Sequence, residues 1–134
     1  MAKHNEYGKF GEKLAVIYLK KNGYKILTTN YKCKGGEIDI IAIETKRARK
    51  KTEDYVKMSK YLQDEDVLTF VEVKTRETQI FGAPAEAVDG FKKHQYDNSS
   101  YIFMKENNYN DWQYRYDIIE VVGDKVVNHY KNAF

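Results

Sequence analysis

Glu37-Ile38-Asp39-Ile40-Ile41-Ala42-Ile43-Glu44 is the stretch on which the fold turns. It is apolar except for its two ends and Asp39, and it is dominated by β-branched residues, so it reads as a strand. A period of two puts Glu37, Asp39, Ile41 and Ile43 on one face and Ile38, Ile40 and Ala42 on the other. A strand that is apolar on both faces belongs inside a sheet covered by helices on both sides. Val67–Arg76, VLTFVEVKTR, has the same character and carries Glu72 and Lys74 within its apolar run.

Working outward, residues 6–21 read as a helix whose apolar stripe is Phe10, Leu14 or Ala15, Ile17 and Tyr18, with a basic last turn and Gly23 as its stop. Tyr24–Tyr31 is expected to be the first strand, and Lys32–Gly36 the turn into the second. Residues 45–66 interrupt the pattern with charges, as a hairpin excursion or a short outlying helix. Gly82 and Pro84 mark a loop into a helix at about 85–105, with Val88, Phe91, Tyr96 and Ile102 on its buried side. Tyr114–Val122 and Val126–Tyr130 form a hairpin about Gly123–Asp124. The order α-β-β-β-α-β-β specifies an α/β fold with a mixed sheet flanked by helices.

The chain has 134 residues, 42% hydrophobic and 32% charged. That length suits one domain spanning 1–134, and the apolar fraction is too high for wholesale disorder. No apolar stretch is long enough for a membrane span. Met1–Tyr7 is polar and lacks the apolar core of a secretory signal. Cys33 is the only cysteine, so no intrachain disulfide is expected, and a reducing, cytoplasmic setting is the default.

The net charge of +3 is unevenly laid out. Lys46, Arg47, Arg49, Lys50, Lys51, Lys57 and Lys60 face only Glu53 and Asp54 within residues 46–60, whereas residues 61–134 are net acidic. A basic run of this kind is either a phosphate-contacting surface or a solvated excursion. Contact with nucleic acid would therefore be local.

The chemistry lies in charges set inside apolar strands. Glu72 and Lys74 are i and i+2 and emerge on one face. A buried carboxylate costs several kcal/mol unless it is paired or bound to metal, and a second one beside it adds repulsion. A divalent cation offsets both, and hard oxygen donors suit Mg²⁺ or Mn²⁺. Asp39 and Glu72, with the Val73 carbonyl, are the candidate ligands. Lys74 would position a water or neutralise charge on a scissile phosphate. The competing reading is an edge-strand Glu72–Lys74 ion pair with Asp39 capping a turn, and spacing alone leaves both open. Glu12 is either a third ligand or an exposed helix carboxylate. Glu37 shares the face of Asp39 and Arg76 that of Lys74, where it could touch phosphate. Lys92 sits at a helix–core boundary, and Arg115 with Asp117 forms an i, i+2 pair that could be structural. His4, His94 and His129 are dispersed and make no zinc pattern with Cys33.

Taken together, His4–Asn5, Gly11–Glu12, Ala15, Tyr18–Leu19, Gly23-Tyr24-Lys25-Ile26-Leu27, Asn30–Tyr31, Gly36-Glu37-Ile38-Asp39-Ile40-Ile41-Ala42 and Phe70-Val71-Glu72-Val73-Lys74-Thr75-Arg76 form a specific set. Gly82, Pro84, Glu86-Ala87-Val88 and Arg115-Tyr116-Asp117-Ile118-Ile119 extend it. The set resembles the bacterial YraN family, UPF0102, over nearly the whole chain except about 45–66. The resemblance implies a restriction-endonuclease-like three-layer core of the PD-(D/E)xK superfamily, related to archaeal Holliday junction resolvases. It implies a Mg- or Mn-dependent nuclease acting on DNA, including branched DNA, with Glu12, Asp39, Glu72 and Lys74 in the active-site places and metal on Asp39, Glu72 and Glu12. Ile38 stands where the superfamily has proline. Arg76 and the run Lys46, Arg47, Arg49, Lys50 and Lys51 are the expected nucleic-acid contacts, with Glu37, Lys92 and Arg115 as accessory residues. A symmetric junction would favour a homodimer. A non-catalytic DNA-binding module that keeps the old site is the alternative, and a partner-binding protein using the aromatic surface of residues 96–116 is a third.

Overall fold

The computed structural model describes residues 2–50, 66–77 and 90–134. Its elements are α1 (Ala2–Lys21), β1 (Lys25–Cys33), β2 (Gly36–Glu44), α2 (Lys46–Lys50), β3 (Val67–Arg76), α3 (Gly90–Glu106), β4 (Tyr114–Val122) and β5 (Lys125–Tyr130). The five strands form one sheet in the order β1-β2-β3-β4-β5. All neighbours are antiparallel except β3 and β4, which run parallel. The architecture is therefore α/β, a mixed sheet between helices, as the apolar strands required. The loop carrying Gly82 and Pro84, with Val88, lies outside the described residues, as do residues 51–65 of the charged excursion.

Each face of the sheet has its own core. Ala15 and Leu19 of α1 pack on Ile40, Ala42, Val71, Ile119 and Val121. On the opposite face, Tyr96, Phe103 and Met104 of α3 pack on Ile41, Ile43, Leu68, Phe70 and Tyr116. Burial of a side chain such as Leu19 stabilises the fold by about 2 kcal/mol. Ile38 packs with Ile41 and Ile43 rather than with Ile40, so strict alternation fails at Asp39. The reason is local. Ladder pairing of β2 with β3 ends at Ile40 opposite Val71, and beyond it the Asp39 carboxylate accepts the Val73 N–H at 2.8 Å.

The buried stripe of α1 is Gly11, Ala15 and Leu19, with Leu14 and Tyr18 packed against it, so the expected Ala15, Leu14 and Tyr18 hold and Phe10 and Ile17 do not. Phe10 and Ile17 are 46% and 52% exposed. Small residues decide this. A Cβ on Gly11 would overlap the Thr75 hydroxyl of β3, so the helix approaches the sheet along its small-residue edge and turns the bulky side chains outward. The helix ends in a Schellman motif, with the Tyr24 N–H on the Leu19 carbonyl at 3.0 Å and the Gly23 N–H on the Lys20 carbonyl at 3.1 Å. Gly23 takes the positive φ of 90° that this requires.

Candidate functional site

Asp39 and Glu72 meet where β2 and β3 part. Asp39 is the residue just before the last ladder pair of β2, and Glu72 is the one just after its partner on β3. Glu72 is buried, and its carboxylate is heavily engaged. The Tyr96 hydroxyl donates to its Oε2 at 2.5 Å, and its Oε1 lies 3.2 Å from Lys92 Nζ and 3.4 Å from Lys74 Nζ. The same hydroxyl lies 3.4 Å from the Val71 carbonyl, so one phenol ties α3 to β3 at Glu72. Burial, then the carboxylates of Glu72 and Asp39, push the Tyr96 hydroxyl well above its ordinary pKa, which keeps it a donor.

Asp39 is short of positive charge. Burial first, and the Glu72 carboxylate second, push its carboxyl up to about 7, against the opposing Val73 N–H. Glu12 reaches this end of the sheet because Gly11 brings α1 against Thr75. Its carboxyl is also raised, by partial burial and by Glu37 and Glu72, while a hydrogen bond with Asn30 opposes the shift. The fold thus gathers Glu12, Glu37, Asp39, Glu72, Lys74 and Lys92 at one end of the sheet. Arg76 lies two residues beyond Lys74 on the same strand, half-buried.

Tyr96 and Asn30 were not among the expected site residues. The available signal for Tyr96 was its i+4 spacing from Lys92, which puts both on one face of α3. As an aromatic in a helix, it reads first as core.

The other expected positions lie elsewhere. β2 leaves the sheet at Glu44, opposite Val67, five residues and roughly 17 Å along the strand from Asp39. The charged excursion therefore departs and returns at the far end of the sheet. Lys46 and Arg47 are exposed on α2 there. That short helix is held by Thr45, whose Oγ1 accepts the Ala48 N–H at 3.2 Å and donates to the Gly23 carbonyl at 2.7 Å. The side chains of Arg49 and Lys50, and all of Lys51, lie outside the described residues.

The family model described as Uncharacterised protein family UPF0102 matches residues 11–121. A UPF0102 protein of Caldanaerobacter subterraneus subsp. tengcongensis is 39% identical over 133 residues, covering 95% of this chain and 93% of that protein. A UPF0102 protein of Clostridium botulinum strain Loch Maree is 35% identical over 137 residues, covering 98% and 95%. The chain belongs to the UPF0102 family.

Arg115 of this UPF0102 chain is not at the Asp39–Glu72 end. It bonds Asp117 through Nε at 2.7 Å and Glu44 through Nη2 at 3.0 Å. Lys131 lies 3.0 Å from Glu44, and the Tyr24 hydroxyl donates to Glu44 at 2.6 Å. His129 joins Asp117 at 2.7 Å through Nε2 and the Tyr18 hydroxyl at 2.9 Å through Nδ1. Despite burial, the bonds from Arg115 hold Glu44 at about 2, and those from His129 and Arg115 hold Asp117 at about 2. This network links β2, β4 and β5, so the structural-pair reading fits Arg115.

Among the described residues, no three His, Cys, Asp or Glu side chains converge closely enough to form a metal cage on their own. No described helix is long and apolar enough to cross a membrane.

Proposed function

We propose that this protein is a divalent-metal-dependent nuclease that hydrolyses phosphodiester bonds in DNA, including branched DNA, on a restriction-endonuclease-like core. The observation that carries this reading is Asp39, a carboxyl pushed toward neutrality by burial and by Glu72 at the parting of two central strands. Both lysines at the site, Lys74 and Lys92, are placed on Glu72, which leaves Asp39 to carry that cost. The donor set fits Mg²⁺ or Mn²⁺, which take carboxylate oxygens and complete their shell with water and substrate phosphate. Two protein carboxylates, Asp39 and Glu72, are enough for an ion of that habit, and Glu12 would reach it through water.

When bound, the ion would polarise the phosphoryl oxygen and acidify a water. The chain's own groups do the rest. Tyr96 holds Glu72 in place. Lys74, half-exposed beside Glu72, would orient the attacking water and neutralise charge on the phosphoryl oxygens. The water oxygen bonds phosphorus, the bond from phosphorus to the ester oxygen breaks, and the proton ends on the departing hydroxyl. Cys33 is a free thiol, which suits a reducing cytoplasm.

A second reading has its own support. Glu72 is already engaged by Lys74, Lys92 and Tyr96, as expected of a DNA-binding module that keeps the site without turning over. Incubation with linear, flapped, single-stranded and four-way DNA in Mg²⁺ or Mn²⁺ separates the two. Cleavage by wild type that is lost in Lys74→Ala and Asp39→Ala supports the nuclease. Salt-sensitive binding without cleavage supports the module.

A further inference from the structure

A groove of about 700 Å³ runs between α1 and β1, with Glu12 in its lining. Lys9, Lys13 and Ile17 follow one another at four-residue intervals along α1 and so share a face. Lys32 of β1 supplies a third cation, and Val16 with Ile17 gives an apolar wall. All three lysine side chains are exposed. Among the described residues, β1 is the edge strand of the sheet and no further strand pairs with it. Lys32 pairs with Glu37 at the start of β2, and Gly11 packs on Thr75 at the end of β3. The groove's cations therefore lie at the same end of the sheet as Asp39 and Glu72. The charged excursion leaves from the other end.

We infer that the α1–β1 groove is the track that holds the phosphodiester backbone of DNA beside the acidic site, with Lys9, Lys13 and Lys32 as its phosphate contacts. This rests on the nuclease reading for its substrate. Charge complementarity selects the occupant, since three exposed lysines outnumber one lining carboxylate, Glu12. The wall offers aliphatic surface for a sugar and no aromatic plane for a base among its lining residues. Recognition there would be of the backbone and independent of sequence.

The test is fluorescence anisotropy of a labelled DNA duplex bearing a single-stranded tail, in EDTA so that no hydrolysis intervenes, across a salt series. Three variants accompany wild type: Lys9/Lys13/Lys32→Gln, the same three positions→Arg, and a control Lys93/Lys105/Lys125→Gln with an equal charge change on exposed residues elsewhere. Three lost phosphate contacts should lower the slope of log affinity against log salt by about 2 to 3. The groove Gln variant should show that loss, and the Arg variant and the control should stay close to wild type. Equal losses in the groove and control variants, or none in the groove variant, would overturn the inference, as would a wild type that does not bind. Cleavage measured separately in Mn²⁺ keeps the two claims apart. A cleaving protein with an indifferent groove sinks only the groove, and a groove-dependent binder that never cleaves sinks only the nuclease.

Discussion

Replacing Asp39 with asparagine should make the metal-free protein more stable at pH 8. Burial and the Glu72 carboxylate push the Asp39 carboxyl from 3.8 up to about 7. A carboxyl raised in the folded state holds its proton longer there than in the unfolded chain. Its penalty is absent below about pH 4, grows as pH rises toward 7, and is complete above that. Three units at 1.36 kcal/mol each would give about 4 kcal/mol. Partial solvent access reduces this to roughly 2 kcal/mol. Asparagine keeps an oxygen for the Val73 N–H, 2.8 Å from the present carboxylate, and removes the charge. For a domain of this size the gain corresponds to about 6–10 °C in melting temperature. Thermal unfolding in EDTA should therefore show Asp39→Asn well above wild type at pH 8 and close to it at pH 4. Saturating Mg²⁺ should raise wild type by up to a few kcal/mol and leave the variant unmoved. A variant less stable than wild type at pH 8 would refute the reasoning, because Asp39 would then be a paired carboxylate and not a frustrated one.

Tyr96→Phe removes the 2.5 Å bond to the buried Glu72 carboxylate and should cost about 1.5–3 kcal/mol in urea denaturation. Gly11→Ala drives a methyl into the Thr75 hydroxyl and should destabilise by about 1–3 kcal/mol, with partial recovery in the Gly11→Ala/Thr75→Ala double variant. Arg115→Met leaves Glu44 and Asp117 without their main partner and should cost about 3–5 kcal/mol at pH 7. In wild type, the stability from these two depressed carboxyls is present above about pH 4 and is lost as pH falls through about 2. An acid titration followed by circular dichroism should show Arg115→Met unfolding at higher pH than wild type.

β2 and β3 were legible because each is an apolar run bounded by turn residues, and the intruding charges at Asp39, Glu72 and Lys74 marked the site. Three things were not legible, each for a physical reason. The break in alternation at Asp39 coincides with a positive φ of 53° at the facing Asn30 of β1 and with a side-chain acceptor for the Val73 N–H, neither of which periodicity encodes. The buried edge of α1 is only partly legible, because Gly11 contributes proximity and not hydrophobicity, and the apolar Phe10 and Ile17 are exposed. The direction of the charged excursion depends on β2 and β3 being antiparallel, a tertiary fact. Arg115 with Asp117 could be paired from its i, i+2 spacing, but Glu44 joins them only through strand pairing.

The most direct test is a single-turnover assay on a four-way DNA junction with wild type and Lys74→Ala, each with Mn²⁺ and with EDTA. Lys74 touches Glu72 from the open side of the site, and removing a group that assists proton transfer and charge neutralisation should slow the chemical step about 10²- to 10⁴-fold. Wild type should cleave only with metal, and Lys74→Ala should bind the junction but cut it slower by that factor. Equal cleavage by both proteins, or wild-type cleavage that persists in EDTA, would contradict the assignment of metal-dependent hydrolysis to this end of the sheet.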